Sequence, residues 1–95
     1  MLNKKNLLIT GGTGSLGNEL VTSILKKYPK INKIVIFSRD ELKQSEMSRK
    51  FKSDKLRFFI GDIRDAERLS RALNNINVVI HAAALKQVPA SEYNP

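Results

Sequence analysis

The 95-residue chain contains no cysteine, which excludes disulfide bonds, thiolate nucleophiles and cysteine-ligated metal ions, and is typical of a reducing compartment. It has a single histidine, His81, so we expect no metal site. No apolar run approaches the ~20 residues of a membrane-spanning helix, and the opening MLNKKN lacks the apolar core of a signal peptide. These absences predict a soluble, cytoplasmic protein without a membrane partner.

Acidic residues are also scarce: 9 Asp and Glu stand against 17 Lys and Arg, which leaves a formal net charge of +8. Such a surplus favours nucleic acid, anionic membranes or phosphate-rich ligands as partners. The basic residues are spread along the sequence rather than collected in one run, which predicts no nucleic-acid partner. The chain has the length of one small domain and stops at SEYNP without a closing element, so we expect the front of a longer protein.

Four short apolar runs alternate with helix-like stretches. The runs are NLLIT (6–10), KIVIF (33–37), LRFFI (56–60) and NVVIH (77–81). Short runs rich in Ile and Val are typical of strands buried on both faces of a parallel sheet. We therefore predict an α/β fold, a Rossmann-type doubly wound parallel sheet with strand order 3-2-1-4, of which residues 1–95 form the N-terminal part. In this order the fourth strand is an exposed, apolar edge.

Cap signals predict where the later helices begin. Ser38 and Glu41 have the spacing of a capping box, which predicts a second helix that continues to about Phe51. Asp65 is the predicted N-cap of the third helix.

The segment TGGTGSLG (10–17) joins the first strand to the first helix and contains GxGxxG as Gly12, Gly14 and Gly17. The early glycines allow a tight turn with positive φ, Gly14 lets backbone approach a pyrophosphate, and Gly17 lets helix and strand pack closely. The helix N-terminus supplies unpaired N–H donors for that pyrophosphate. Strand, glycines, helix and second strand in this order predict a dinucleotide site; a purely structural turn is the alternative.

The segment FSRDELKQ (37–44) follows the second strand, about 20 residues after the glycine motif, where an acid usually binds the adenosine ribose. Here Ser38 and Arg39 take that place, and Lys43 lies one helical turn further on. A hydroxyl, a guanidinium and an ammonium group suit a 2′-phosphate, so the segment predicts NADP rather than NAD. Two alternatives stay open: Arg39 and Lys43 are solvated while Ser38 only caps the helix, or Asp40 reaches a ribose.

Two further strand ends contribute candidate residues. After the third strand, Asp62 can accept from an adenine amino group while Ile63 covers the ring; the alternative is that Asp62 is a turn residue. After the fourth strand, three alanines (82–84) keep the space over the cofactor clear, and Lys86 brings a charge toward phosphates or substrate. The alternative for the alanines is that they only allow tight packing, and the alternative for Lys86 is that it is a solvated loop lysine. His81, at the end of the same strand, is predicted to be structural.

No catalytic group is predicted in the chain. Hydride chemistry on a sugar usually needs a general base, often a Tyr with a Lys four residues later. Tyr28 is followed at that spacing by Asn32, and the chain ends before the residue that would pair with Tyr93.

Four segments resemble the N-terminal part of the UDP-N-acetylglucosamine 4,6-dehydratases (inverting), extended short-chain dehydrogenase/reductase enzymes that start nucleotide-sugar routes to bacterial surface glycans. The segments are TGGTGSLG, SRDELKQSEM, RFFIGDIRD and HAAALKQVPASEYNP. The first is shared by all extended short-chain dehydrogenases, whereas SRDELKQ and HAAALKxVPxxEYNP are narrower signatures. The resemblance covers nearly the whole chain after about Asn6.

The resemblance implies that NADP accepts hydride from the sugar C4, water leaves from C5 and C6, and hydride returns to C6. It also implies a UDP-sugar substrate, a homo-oligomeric full-length enzyme, and catalytic residues that lie beyond residue 95. A UDP-sugar 4-epimerase and a non-catalytic NADP-binding module are the alternatives. The predicted substrate-binding residues are Ala82 and Lys86. The predicted cofactor-binding residues are Gly11, Gly12, Thr13, Gly14, Ser15, Leu16, Gly17, Ser38, Arg39, Asp40, Glu41, Leu42, Lys43, Asp62, Ile63, Ala82, Ala83, Ala84 and Lys86.

Overall fold

The computed structural model describes residues 1–11 and 13–82 in full and residues 86–89 as backbone. Five strands and three helices alternate until the last two strands. The strands are β1 (Asn6–Thr10), β2 (Lys33–Ser38), β3 (Leu56–Ile60), β4 (Val78–His81) and β5 (Lys86–Pro89). The helices are α1 (Ser15–Lys27), α2 (Glu41–Phe51) and α3 (Ala66–Ala72).

The strands form one sheet in the order β3-β2-β1-β4-β5, and the first four are parallel. The predicted order 3-2-1-4 and the Rossmann-type doubly wound fold are therefore confirmed. Leu8, in the middle of β1, pairs with Val35 of β2 on one side and Val79 of β4 on the other. The middle of β1, Leu7 to Ile9, is apolar at consecutive positions because both faces of this central strand are covered.

The prediction that β4 is an exposed edge strand is wrong. β5 pairs with β4 in antiparallel register, with Val79 opposite Val88 and His81 opposite Lys86. The sequence KQVP gave little strand signal because it is short, carries two polar residues and ends in proline. Proline is tolerated in an edge strand, and the pairing satisfies backbone groups that β4 would otherwise expose.

The core lies in two layers, one on each face of the sheet. On one face, Leu7 and Ile9 pack with Val21 of α1 and Met47 of α2. On the other face, Leu8 packs in a cluster with Leu73, beyond the end of α3. Successive residues of β1 point to opposite faces of the sheet, and Leu7, Leu8 and Ile9 are all fully buried. Burial of each of these side chains stabilises the fold by about 2 kcal/mol.

Two helix starts can be compared with their predicted caps. Asp65 caps α3 as predicted, since its Oδ1 accepts from the Arg68 backbone N–H at 3.1 Å. The predicted Ser38–Glu41 capping box is wrong. Ser38 is still the last residue of β2, and Asp40 caps α2 by accepting from the Lys43 backbone N–H at 3.0 Å. The strand continues one residue further than its apolar run, which moves the helix start past the serine.

Strand N-termini and helix C-termini share the edge of the sheet that lies opposite the glycine turn. Four basic residues that the sequence scatters, Lys4, Lys30, Lys55 and Arg57, line one cavity there, and the three ion pairs found in the described part of the chain involve none of them. In addition, Lys33 begins β2, and the last turns of α1 and α2 carry Lys26, Lys27, Arg49 and Lys50. The prediction of no nucleic-acid partner therefore loses its main support and stays a prediction. No helix in the described ranges is long and apolar enough to cross a membrane.

Gly61, directly after β3, is a position where a methyl group has no room. A Cβ there would lie 2.7 Å from Cζ of Phe37, which is fully buried, and 2.8 Å from Cγ of Arg68. We expect Gly61→Ala to lower the free energy of unfolding by about 1–3 kcal/mol, measured by urea denaturation. Gly14→Ala is the comparison variant: its added Cβ meets nothing within 4 Å, so any cost there reflects the weaker N-cap of α1 and not a clash. An unchanged unfolding midpoint in Gly61→Ala would show that Phe37 moves aside at no cost.

Candidate cofactor site

A cleft of about 520 Å³ opens at the carboxyl ends of the four parallel strands. In open α/β sheets, ligands bind at this edge, beside the point where the strand order reverses. Here that point lies between β1 and β4. The predicted site residues that line the cleft come from three separate segments: Gly11, Ser38, Arg39, Asp62 and Ile63.

The glycine turn places an open helix N-terminus beside this cleft. Gly11 has φ +64°, a conformation that favours glycine, and its N–H donates to the Phe37 carbonyl at 3.1 Å. Gly14 is the N-cap of α1, and no side chain caps it. The Asn18 amide donates to the Gly14 carbonyl at 2.9 Å, which secures the turn. The first turn of α1 carries no acidic residue, so the positive end of its dipole is uncompensated and suits an anion.

A second cleft of about 600 Å³ connects the glycine turn to the end of β2. Thr13 lines one side of it. Ser38 and Arg39 line both clefts, so the two cavities meet at the strand end that the sequence singled out. The remaining residues that line the second cleft are Asp40, Glu41 and Lys43.

Arg39 and Asp62, 23 residues apart in sequence, form an ion pair at 3.4 Å in the first cleft. They meet because β2 and β3 are parallel neighbours and Ser38 pairs with Ile60. Arg64 binds the same carboxylate more closely, with its NH2 group 2.8 Å from Asp62 Oδ2. These hydrogen bonds from Arg64 hold the pKa of the Asp62 carboxyl well below its usual range, and Arg39 adds a smaller electrostatic effect in the same direction. Asp62 is therefore ionised at neutral pH.

The other predicted residues fall into three groups. Ser15, Leu16 and Leu42 are exposed, and neither cleft includes them among its lining residues, whereas Gly17 is buried in α1. Ala82 is buried among core residues, and its N–H donates to the Thr10 carbonyl. Contact between its side chain and a ligand stays a prediction. Gly12, Ala83, Ala84 and the Lys86 side chain lie outside the described residues.

His81 links two strands at the inner wall of the first cleft. Its Nδ1 lies 2.7 Å from the Thr10 hydroxyl, so the ends of β1 and β4 are joined by a side-chain hydrogen bond. The structural role predicted for this histidine agrees with that contact.

Besides Thr10 and His81, which line the first cleft but were not predicted to bind a ligand, the sequence reasoning missed several residues of the site. Phe37, Gly61 and Arg64 line the first cleft, and Gln44 is buried beneath the end of β2. The Asp-x-Arg spacing of GDIRD could have indicated Arg64, because the residues of a tight turn often pair. The role of Gln44 depends on how α2 packs against the sheet, and a single polar residue in a polar helix gives no signal of that.

The strand order, the glycine turn and the ligand-accessible carboxyl edge define a Rossmann-type α/β protein. The chain belongs to the polysaccharide biosynthesis protein family, whose model matches residues 7–95. The resemblance noted in its motifs is confirmed by a UDP-N-acetylglucosamine 4,6-dehydratase (inverting) from Campylobacter jejuni, 59% identical over 95 residues. That match covers 100% of this chain and 28% of the relative, so the chain spans little more than a quarter of it.

Two further proteins are similar to this chain and carry names other than dehydratase. A UDP-glucose 4-epimerase from Rickettsia rickettsii is 48% identical over 93 residues, which cover 96% of this chain and 27% of the epimerase. The X-ray structure of Pen from Bacillus thuringiensis is 35% identical with a TM-score of 0.78, over 84% of this chain and 25% of that structure. Both matches cover most of this chain and only about a quarter of the other protein.

Proposed function

We propose that the chain binds NADP, with the pyrophosphate at the N-terminus of α1 and the adenosine end over the ends of β2 and β3. The observation that carries this proposal is the meeting of the two clefts at Ser38 and Arg39. An uncapped helix start and open space at Gly14 fit the pyrophosphate. Arg39, 71% exposed, is free to turn from Asp62 toward a 2′-phosphate, which is a stronger partner than a shared carboxylate.

We propose that the adenine ring lies beside Ile63, a large apolar residue that is 55% exposed. Burying such a side chain against a ring is favourable by about 1 kcal/mol. Asp62 then lies within reach of the adenine amino group while Arg64 neutralises its charge. Under this proposal Arg39 leaves the Asp62 carboxylate for the 2′-phosphate, and Asp62, still paired with Arg64, accepts from the base.

We propose that the whole protein acts as a UDP-N-acetylglucosamine 4,6-dehydratase. The 59% identity with the Campylobacter enzyme supports this, as do the SRDELKQ and HAAALKQVP segments. Bound NADP would supply reversible hydride transfer. The described residues would hold the cofactor's phosphates and adenosine, and the residues that move the sugar protons and release water are expected elsewhere in the protein. The predictions of a cytoplasmic, homo-oligomeric enzyme remain part of this proposal.

Two measurements on the purified protein test the proposal. Calorimetric titration with NADP and NAD tests the cofactor, and we expect tighter binding of NADP. Incubation of the whole protein, rather than of this 95-residue chain, with UDP-N-acetylglucosamine, followed by mass spectrometry, tests the reaction, and we expect a product that has lost one water. Binding of NAD in preference to NADP would overturn the proposed cofactor but would leave the proposed substrate unaffected.

A UDP-sugar 4-epimerase is the second candidate, favoured by the 48% identity with the Rickettsia epimerase. An epimerase leaves the substrate mass unchanged and inverts the configuration at C4. The same incubation therefore separates the two candidates, because a product of unchanged mass and altered C4 proton coupling would support epimerisation and contradict dehydration.

A further inference from the structure

Gln44 is a buried polar residue directly beneath the candidate cofactor site. It lies in the first turns of α2, and only 4% of its surface is exposed. Its side-chain Nε2 is 2.9 Å from the Ser38 hydroxyl and 3.2 Å from the Phe59 carbonyl. The carbonyls of Ser38 and Ile36 are more distant, at 3.4 and 3.5 Å. The amide therefore ties the end of β2 to the end of β3.

The surroundings determine which end of the amide faces the strands. Backbone carbonyls can only accept, so the NH₂ group and not the amide oxygen must point toward them. This group has two hydrogens, and its shortest contact is with the Ser38 hydroxyl. The Ser38 oxygen is therefore a hydrogen-bond acceptor from Gln44, and its own proton points away from the amide. Ser38 lines both clefts, so the direction left for that proton is toward the ligand space.

We propose that Gln44 is a positioning residue that holds Ser38 as a hydrogen-bond donor and thereby favours a phosphate monoester over a ribose hydroxyl at the end of β2. This inference rests on the proposed function, since it concerns the group at the adenosine 2′ position. A phosphate dianion has only acceptor oxygens, whereas a ribose hydroxyl also needs an acceptor for its own hydrogen. A site that offers donors satisfies the phosphate fully and leaves the ribose hydrogen without a partner.

The neighbouring carboxylates do not cancel this preference. Asp40 Oδ1 accepts from the Lys43 backbone N–H, and Asp62 accepts from Arg64 and Arg39. Asp40 Oδ1 is therefore occupied by the helix cap, and Asp62 is paired with Arg64. The donors at the end of β2 are the Ser38 hydroxyl and the side chains of Arg39 and Lys43, and the carboxylates of Asp40 and Glu41 line the same cleft without a hydrogen bond to the Ser38 hydroxyl in the described part of the chain.

A double-mutant cycle on the purified protein tests the proposal. Gln44→Met keeps length and removes the donor, and we expect about fivefold weaker NADP binding with little change for NAD. Ser38→Ala is expected to weaken NADP by about tenfold, because a hydrogen bond to a charged group is lost. In the Ser38→Ala background, Gln44→Met should cause no further loss of NADP affinity, because the hydroxyl it positions is gone.

Additive losses in the double variant, or equal losses for NADP and NAD, would overturn the proposal and leave Gln44 a purely structural residue. Urea denaturation of each variant separates stability from binding. If Gln44→Met does not fold, Ser38→Ala is measured alone. An unchanged ratio of NADP to NAD affinity in Ser38→Ala also overturns the proposal. A wild-type protein that binds neither cofactor overturns the proposed function itself, whereas NADP binding with an additive cycle overturns only the role of Gln44.

Discussion

Replacing Gly14 by aspartate is expected to weaken NADP binding by more than about 100-fold, because like charges brought together in a binding site cost several kcal/mol. The new carboxylate would stand at the N-cap of α1, where we propose that the pyrophosphate binds. Gly14 has φ −77° and ψ −178°, an extended conformation that aspartate adopts without strain. The same carboxylate can accept from the free N–H groups of the first turn, which stabilises the helix by a few tenths of a kcal/mol.

This variant therefore separates binding from stability, since the two should change in opposite directions. Titration calorimetry measures the affinity for NADP, and urea denaturation measures the free energy of unfolding. Gly14→Asn is the matched control: it has the same size and is an equally good cap but carries no charge. We expect Gly14→Asn to keep more affinity than Gly14→Asp. Undiminished NADP binding by Gly14→Asp would show that the pyrophosphate does not lie at this helix end.

Replacing Arg39 by alanine is expected to weaken NADP binding by about 10- to 100-fold, the usual worth of hydrogen bonds to a charged group. The affinity for NAD should fall less than about fivefold, because an exposed charge without a phosphate partner contributes little. The cost to folding should also be small, since the Arg39–Asp62 distance is 3.4 Å and Arg64 keeps the carboxylate paired. The ratio of the two cofactor affinities is the decisive measurement.

Arg49→Ala is the control for the loss of one positive charge. Arg49 lies in the last turn of α2, exposed, and donates to Ser45 at 3.1 Å. It carries the same charge as Arg39 but lines neither cleft, so we expect its removal to leave the NADP affinity unchanged. Equal loss of NADP and NAD affinity in Arg39→Ala would contradict a role for Arg39 in reading the 2′-phosphate.

Local patterns in the sequence were sufficient to predict most of the secondary structure. Each parallel strand begins within one residue of its apolar run, because a strand covered on both faces must be apolar at consecutive positions. Asp65 was found as a cap because a cap acts within three residues of itself. Ser38 was misassigned as a cap because the choice between strand and helix at that residue depends on pairing with β3, which local sequence does not report.

For the candidate site, too, some features could be predicted from the sequence and others could not. Its position at the carboxyl ends of the strands follows from the fold class, so Gly11, Ser38, Arg39 and Asp62 could be expected to meet. Their actual partners could not be predicted. The contact of Arg39 with Asp62 depends on the register between β2 and β3, and the burial of Gln44 depends on how α2 packs.

By itself, the sequence determined the order of elements, the glycine turn, the family resemblance and the basic segment after β2, because each depends on residues close together in the chain. Only the tertiary structure decided that β5 pairs with β4, that the Gln44 amide contacts the Ser38 hydroxyl, and that Lys4, Lys30, Lys55 and Arg57 line one cavity away from the candidate site. These features depend on strand pairing and helix packing between distant segments. The physical reason is that a contact between distant segments depends on the position and conformation of both segments, whereas the sequence of one segment determines only its own conformation.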